Sequence, residues 1–157
     1  MELYLVQHGE ATSKAEDPAR PLTPAGRSAV ERVAQAAAAI GVAAQMVYHS
    51  GKLRAAQTAD ILAQHLAHGR ETTELDGMGP TDDPAPLAAR VADLAHPALL
   101  VGHLPFLSRL ASLLLTGDAE QEIIAFQNAG IVALSAGDEG NWRARWILTP
   151  ELVERGM

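Results

Sequence analysis

Glu2-Leu3-Tyr4-Leu5-Val6-Gln7-His8-Gly9-Glu10 opens with a short apolar run, rich in β-formers, that stops at a polar Gln-His-Gly turn. A run of this length without polar alternation predicts a strand buried on both faces. The same arrangement returns twice. Gln45 to His49 is short and apolar and runs into Ser50-Gly51, and Ala98-Leu99-Leu100-Val101 runs into Gly102-His103. Each run is followed by helical spacing. Thr23-Pro24 supplies an N-cap and a proline at the first helical position, and Val30, Val33, Ala34, Ala37 and Ile40 share one face, which predicts a helix over about 24 to 40 with Gly41 as its stop. Ala55, Ala59, Leu62, Ala63 and Leu66 give a second helix over Leu53 to Leu66, and Pro105 to Leu115 reads as a third, ending at Thr116-Gly117. Strands alternating with helices imply parallel βαβ units, and the fold class expected is α/β, a three-layer sandwich with a mostly parallel central sheet and helices on both faces.

Between these units, residues 12 to 22 read as a loop, Thr72 to Leu75 as a minor strand, Asp76 to Pro86 as irregular and Leu87 to Leu94 as a short helix. Ile123 to Phe126 is ambiguous between strand and helix. Ile131 to Ser135 and Trp142 to Leu148, separated by a loop rich in turn formers, should form a hairpin, with Trp142 and Trp146 on one face of its second strand.

The 157 residues are 48% apolar and 20% charged, enough to bury a core, and one domain over 1–157 is expected. Their 30 alanines favour helix and fill little volume, so helices should pack closely on the sheet. A formal net charge of -7 has the wrong sign for a protein that binds nucleic acid through its overall field. The absence of cysteine removes disulfides, thiolate zinc sites and thiol nucleophiles, and makes a cytoplasmic address the expectation. No apolar run approaches the roughly 20 residues that span a bilayer, and the first residues show neither the basic nor the apolar region of a secretory signal. Neither His-Glu-x-x-His nor a phosphate-binding Gly-x-x-x-x-Gly-Lys-Ser/Thr occurs, and Arg54 in the cluster described next would repel a cation, so no metal and no cofactor are expected.

Ligands of parallel sheets bind beyond the carboxyl ends of the strands, where helix N-termini supply N–H donors. That edge receives Gln7-His8-Gly9-Glu10, then Ser50-Gly51-Lys52-Leu53-Arg54, then Gly102-His103-Leu104-Pro105. An imidazole with a free lone pair can attack phosphorus, an arginine can fork onto two phosphate oxygens, and a second imidazole can donate to them as charge develops. The outline is that of a phosphoryl-transfer site. His65, His68 and His96 lie near helix ends, where solvent or a terminal carbonyl is their ordinary partner. His49 can fix its loop, and Ser50 can cap the following helix as well as donate to phosphate.

These motifs, with Arg20-Pro21-Leu22-Thr23 and the Gly79 to Pro84 loop, resemble the signature of the histidine phosphatase superfamily, the phosphoglycerate mutase-like enzymes, and among them the short SixA-type phosphohistidine phosphatases. The resemblance implies that His8 is the nucleophile and that Arg54 and His103 complete the catalytic pocket. It implies an acidic residue near the leaving group, for which Asp83, Asp82 and Glu10 are the candidates. Gln7, Gly9, Ser50 and Lys52 are expected at the substrate. The family pattern has arginine where this chain has Gln7, and losing one charge-assisted donor from such a pocket costs about 2.7 to 4 kcal/mol by analogy with oxyanion-hole deletions. A phosphohistidine substrate tolerates that loss, because its P–N bond is labile. The expected function is therefore a phosphatase for phosphohistidine on a protein, with a phosphorylated protein as partner and neither nucleic acid nor membrane. A phosphate-recognising binding module with little turnover is the alternative, and a mutase with a roofed pocket is third.

Overall fold

A computed structural model describes residues 1–156. Among these residues six strands form one sheet, and five helices cover it. The strands are β1 (Glu2–Gln7), β2 (Met46–His49), β3 (Thr73–Glu74), β4 (Ala98–Gly102), β5 (Ile131–Ala136) and β6 (Trp142–Leu148), in the spatial order β3-β2-β4-β1-β5-β6. β1, β2, β3 and β4 pair in parallel, while β5 and β6 add an antiparallel hairpin against β1. The α/β sandwich expected from the alternation is the fold observed.

Side chains alternate between two cores. Tyr4 and Val6 of β1 and Leu99 and Val101 of β4 face one layer, and Leu3, Leu5 and Leu100 face the other. The first layer is closed by α1 (Pro24–Ala39) and α2 (Leu53–Leu66), the second by α3 (Ala85–Val91) and α4 (Phe106–Thr116). Thr23 caps α1 by accepting the Gly26 N–H at 2.9 Å, with Pro24 behind it. All five residues of the predicted α2 face are buried, whereas on α1 Ile40 lies just past the last turn and is 55% exposed.

Three expectations change. A further helix, α5 (Pro150–Gly156), follows a second Thr-Pro pair, Thr149-Pro150, and packs against α1 through Val153 and an Arg32–Glu154 ion pair at 2.8 Å. Ile123 to Phe126 is neither strand nor helix. Trp142 and Trp146 do not share a face: Ala133 pairs with Trp146 but Leu134 pairs with Ala144, so Arg145 is an extra residue, and this bulge reverses the alternation. Trp146 therefore packs with Tyr4 on the α1 side at a ring separation of 6.0 Å, and Trp142 packs with the opposite core.

Candidate active site

The register of the central strands brings the two histidines together. Gln7 of β1 is paired with Gly102 of β4, so His8 and His103 are the next residues on adjacent parallel strands. Their rings lie with centroids 5.0 Å apart, and the His8 N–H extends the ladder by donating to the Gly102 carbonyl at 3.1 Å. β2 ends beside them, with His49 paired to Val101. α2 and α4 both begin at this edge and aim the positive ends of their dipoles at it.

His8 is held in one tautomer. Its Nδ1 lies 2.7 Å from the Gly9 carbonyl oxygen, which can only accept, so Nδ1 carries the proton and Nε2 keeps its lone pair. Asn128 donates to the His8 carbonyl at 2.9 Å and the Ala129 N–H to the Gln7 carbonyl at 2.9 Å, which fixes the turn from below. Burial lowers the His8 pKa below the ordinary imidazole value; the Gly9 hydrogen bond opposes this, and the Arg54 and Arg20 charges reinforce it. His103 is pushed down to about 3 by burial, then by His8, Arg54, Lys52 and Arg20. Its Nε2 shares a 2.6 Å hydrogen bond with Ser50 Oγ, and its Nδ1 is buried without a partner.

Arg54, Gln57 and Thr58 stand at i, i+3 and i+4, on one face of the first turns of α2. Arg54 points its guanidinium into the site, and burial followed by the Arg20 charge lowers its pKa. Thr58 Oγ1 accepts the Gly9 N–H at 3.0 Å and donates to the Arg54 carbonyl at 2.8 Å. Gln57 accepts the Leu22 N–H at 2.8 Å and so ties down the loop that carries Arg20. Arg20 is the site residue that the sequence reading did not single out. Its backbone is left-handed, with φ 52, and its Nε donates to the Thr12 carbonyl at 3.1 Å. The Arg20-Pro21-Leu22-Thr23 motif was its signal. Among the described residues, neither Arg20 nor Arg54 forms an ion pair.

The other expected residues are placed as follows. Gln7 lies at the end of β1 with its Oε1 buried and unpartnered. Lys52 caps α2 by backbone position, and its charge reaches His103. Gly9 donates its N–H to Thr58, and a Cβ there would press on Val30 and the Gly26 carbonyl, so close packing against α1 explains the glycine. His49 accepts the Gly51 N–H at 3.0 Å and fixes the turn. His65 pairs with the Glu31 carboxylate at 2.7 Å rather than with a terminal carbonyl. The acid candidates are all engaged locally. Asp83 accepts from the Ala85 N–H at 3.0 Å, Asp82 from the Gly79 N–H at 2.7 Å, and Glu10 from the Thr23 hydroxyl at 2.8 Å; no hydrogen bond joins them to His8, Arg54 or His103 among the described residues. No group of three or more His, Asp or Glu stands as a metal cluster among the described residues.

Two imidazoles and two unpaired guanidiniums, drawn from three loops and a helix, make an uncompensated cationic pocket that an oxyanion would neutralise. The sequence model of the Histidine phosphatase superfamily (branch 1) matches residues 3–78, which contain His8, Arg20 and Arg54. The chain belongs to the histidine phosphatase superfamily. An uncharacterized protein of Picosynechococcus sp. is 35% identical over 147 residues, covering 87% of this chain and 86% of that one. Among solved structures of the superfamily's fold, the protein histidine phosphatase SixA complexed with tungstate is similar, at 25% identity and a TM-score of 0.86, with 98% of this chain and 99% of that chain covered. The alpha-ribazole phosphatase of Shigella flexneri shares the fold at 15% identity and a TM-score of 0.77, over 96% and 97% of the two chains. The superfamily membership, with the likeness to a protein histidine phosphatase, supports a phosphatase.

Proposed function

We propose that the protein removes phosphate from phosphohistidine on a partner protein, through a transient phosphoryl group on its own His8 Nε2. The observation that carries this reading is the His8 tautomer: with Nδ1–H committed to the Gly9 carbonyl at 2.7 Å, Nε2 is left as the nucleophilic atom, in a ring 5.0 Å from that of His103 and within the field of Arg54.

The chemistry balances without a carboxylic acid. A substrate phosphohistidine with its second ring nitrogen protonated is attacked at phosphorus by the His8 Nε2 lone pair. The P–N bond of the substrate breaks, its electron pair returns to the substrate ring, and that ring leaves as neutral imidazole. His8 then carries the phosphoryl group on Nε2 and keeps the Nδ1 proton, so the positive charge has moved from one ring to the other and is held by the Gly9 carbonyl. Water next attacks phosphorus opposite Nε2, the P–Nε2 bond breaks, and dihydrogen phosphate leaves with both water protons. Arg54, Arg20 and His103 hold the equatorial oxygens in both steps. A phosphate ester differs, because its leaving oxygen needs a proton and Glu10, Asp82 and Asp83 are all committed to loop and cap hydrogen bonds. This favours P–N over P–O substrates. Similarity to a protein histidine phosphatase supports a protein substrate, and the absence of cysteine is consistent with a cytoplasmic address.

One observation favours a second reading, a phosphate-recognising module: Gln7 brings no charge beside His8, and its Oε1 has no partner. One experiment separates the two. With a phosphohistidine-bearing protein and 4-nitrophenyl phosphate as substrates, the phosphatase releases phosphate from the first in preference to the second, and His8→Ala releases none. Stoichiometric binding of the phosphorylated protein without phosphate release would establish the module instead.

A further inference from the structure

Beside the pocket runs a groove of about 440 Å³ between the start of α4 and the irregular segment before β5, lined by Leu104, Pro105, Ser108, Ile123 and Phe126 with Glu122 at its rim. Both walls adjoin the site along the chain. Leu104 and Pro105 follow His103 directly, and Phe126 stands two residues before Asn128, whose side chain holds the His8 carbonyl. The floor is apolar and open: Leu104 is 40% exposed and Ile123 50%. Past Ser108 the groove continues into a second hollow of about 280 Å³ that shares Pro105, Ser108 and Glu122 and adds Arg109 and Glu120. There Arg109 is neutralised by Glu120 at 3.1 Å, while Glu122 has no side-chain partner among the described residues.

The surface thus changes character between the pocket and the groove. It is cationic at Arg20, Arg54 and Lys52, apolar at Leu104 and Ile123, and anionic at Glu122. Isolated exposed aliphatic residues are ordinary, but a lined groove whose walls continue along the chain from His103 and toward Asn128 is a recognition surface. We infer that this groove docks the phosphorylated partner protein, receiving an aliphatic or aromatic side chain close to the phosphohistidine and, beyond it, a lysine or arginine that pairs with Glu122. The inference rests on the phosphohistidine reading and adds to it the chemistry of the flanking residues. A free small phosphate uses the pocket alone. Charge complementarity sets the pairing, since the phosphoryl dianion enters the cationic pocket and the basic side chain meets Glu122 in the groove.

Binding tests the groove separately from turnover. Two short peptides carry a hydrolysis-resistant phosphoryl-triazole analogue of phosphohistidine, one flanked on both sides by Leu and Arg, the other by Ser and Glu. The wild-type protein should bind the Leu/Arg peptide about 10-fold or more tightly than the Ser/Glu peptide. Ile123→Glu and Glu122→Lys, both at exposed positions, should abolish that preference while leaving the affinity for inorganic phosphate unchanged. Equal binding of the two peptides by the wild type, or a preference that survives both substitutions, overturns the inference. Authentic phosphohistidine versions of the peptides complete the test. Selective, groove-dependent binding without phosphate release keeps the groove and refutes the phosphatase reading; release from both peptides at equal kcat/KM keeps the phosphatase and refutes the groove.

Discussion

As the proposed nucleophile, His8 must be neutral to attack, and burial with the Arg54 and Arg20 charges lowers its pKa below 6.5, so kcat/KM for a phosphohistidine substrate should hold on the acid side of 6.5 and fall only below the lowered value. Arg20→Ala removes one of those charges. The acid limb of the pH profile should then move up toward 6.5, and inorganic phosphate should bind about 10-fold or more weakly, since a charge-assisted hydrogen bond is worth roughly 1.5 to 3 kcal/mol. An unmoved limb would show that Arg20 does not face the nucleophile. At Gln7 the expected sign is a gain: Gln7→Arg should raise kcat/KM on an aryl phosphate by about 10-fold, ~1.4 kcal/mol of added stabilisation. The gain on phosphohistidine should be smaller. A rate on the aryl ester that is unchanged or lower, with the fold intact by circular dichroism, excludes missing charge as the limit. These single side chains were legible to different degrees. His8, Arg54 and His103 announce themselves by following apolar runs, whereas Arg20 sits twelve residues beyond His8 in a loop whose path depends on a hydrogen bond from Leu22 to Gln57, and no local pattern encodes that contact.

The second helix does more than fill the core. Through Thr58 it joins the Gly9 turn to its own first turn, a buried connection between β1 and α2. Thr58→Val keeps the shape and leaves the Gly9 N–H without an acceptor, which should lower stability by about 1 to 3 kcal/mol, read as a shift in the urea midpoint. Thr58→Ser should restore most of it. A neutral valine substitution would mean that water reaches the amide. Helix and strand cores were readable because burial imposes period on apolar residues, as on α2, where every predicted face position is inside. What escaped was set by pairing across the sheet or by short segments. The bulge at Arg145 exists only relative to β5, and α5 was missed although Thr149-Pro150 repeats the start signal of Thr23-Pro24.

Over the whole molecule, convergence of positive groups on one sheet edge ties stability to pH. For His103 the folded value of about 3 lies below the ordinary 6.5 of the unfolded chain, so between these values the unfolded state binds the extra proton. Its contribution is therefore complete above 6.5 and is lost as pH falls toward 3, and His8 acts in the same direction. The thermal midpoint should decline through that window, and His103→Gln should flatten the decline. Inorganic phosphate, which binds only the assembled pocket, should raise the midpoint. A His103→Gln profile as steep as the parent's would remove this histidine as the source.

The bulge at Arg145 also furnishes a spectroscopic instrument. Because it sends the only two indoles of the chain to opposite layers, Trp142→Phe leaves an emitter that senses the α1 side alone, and Trp146→Phe leaves one that senses the α4 side alone. Denaturation followed by the fluorescence of each variant reports separately on the two halves of the sandwich. Coincident curves would mean that both layers melt in one transition, and displaced curves would identify which layer loosens first.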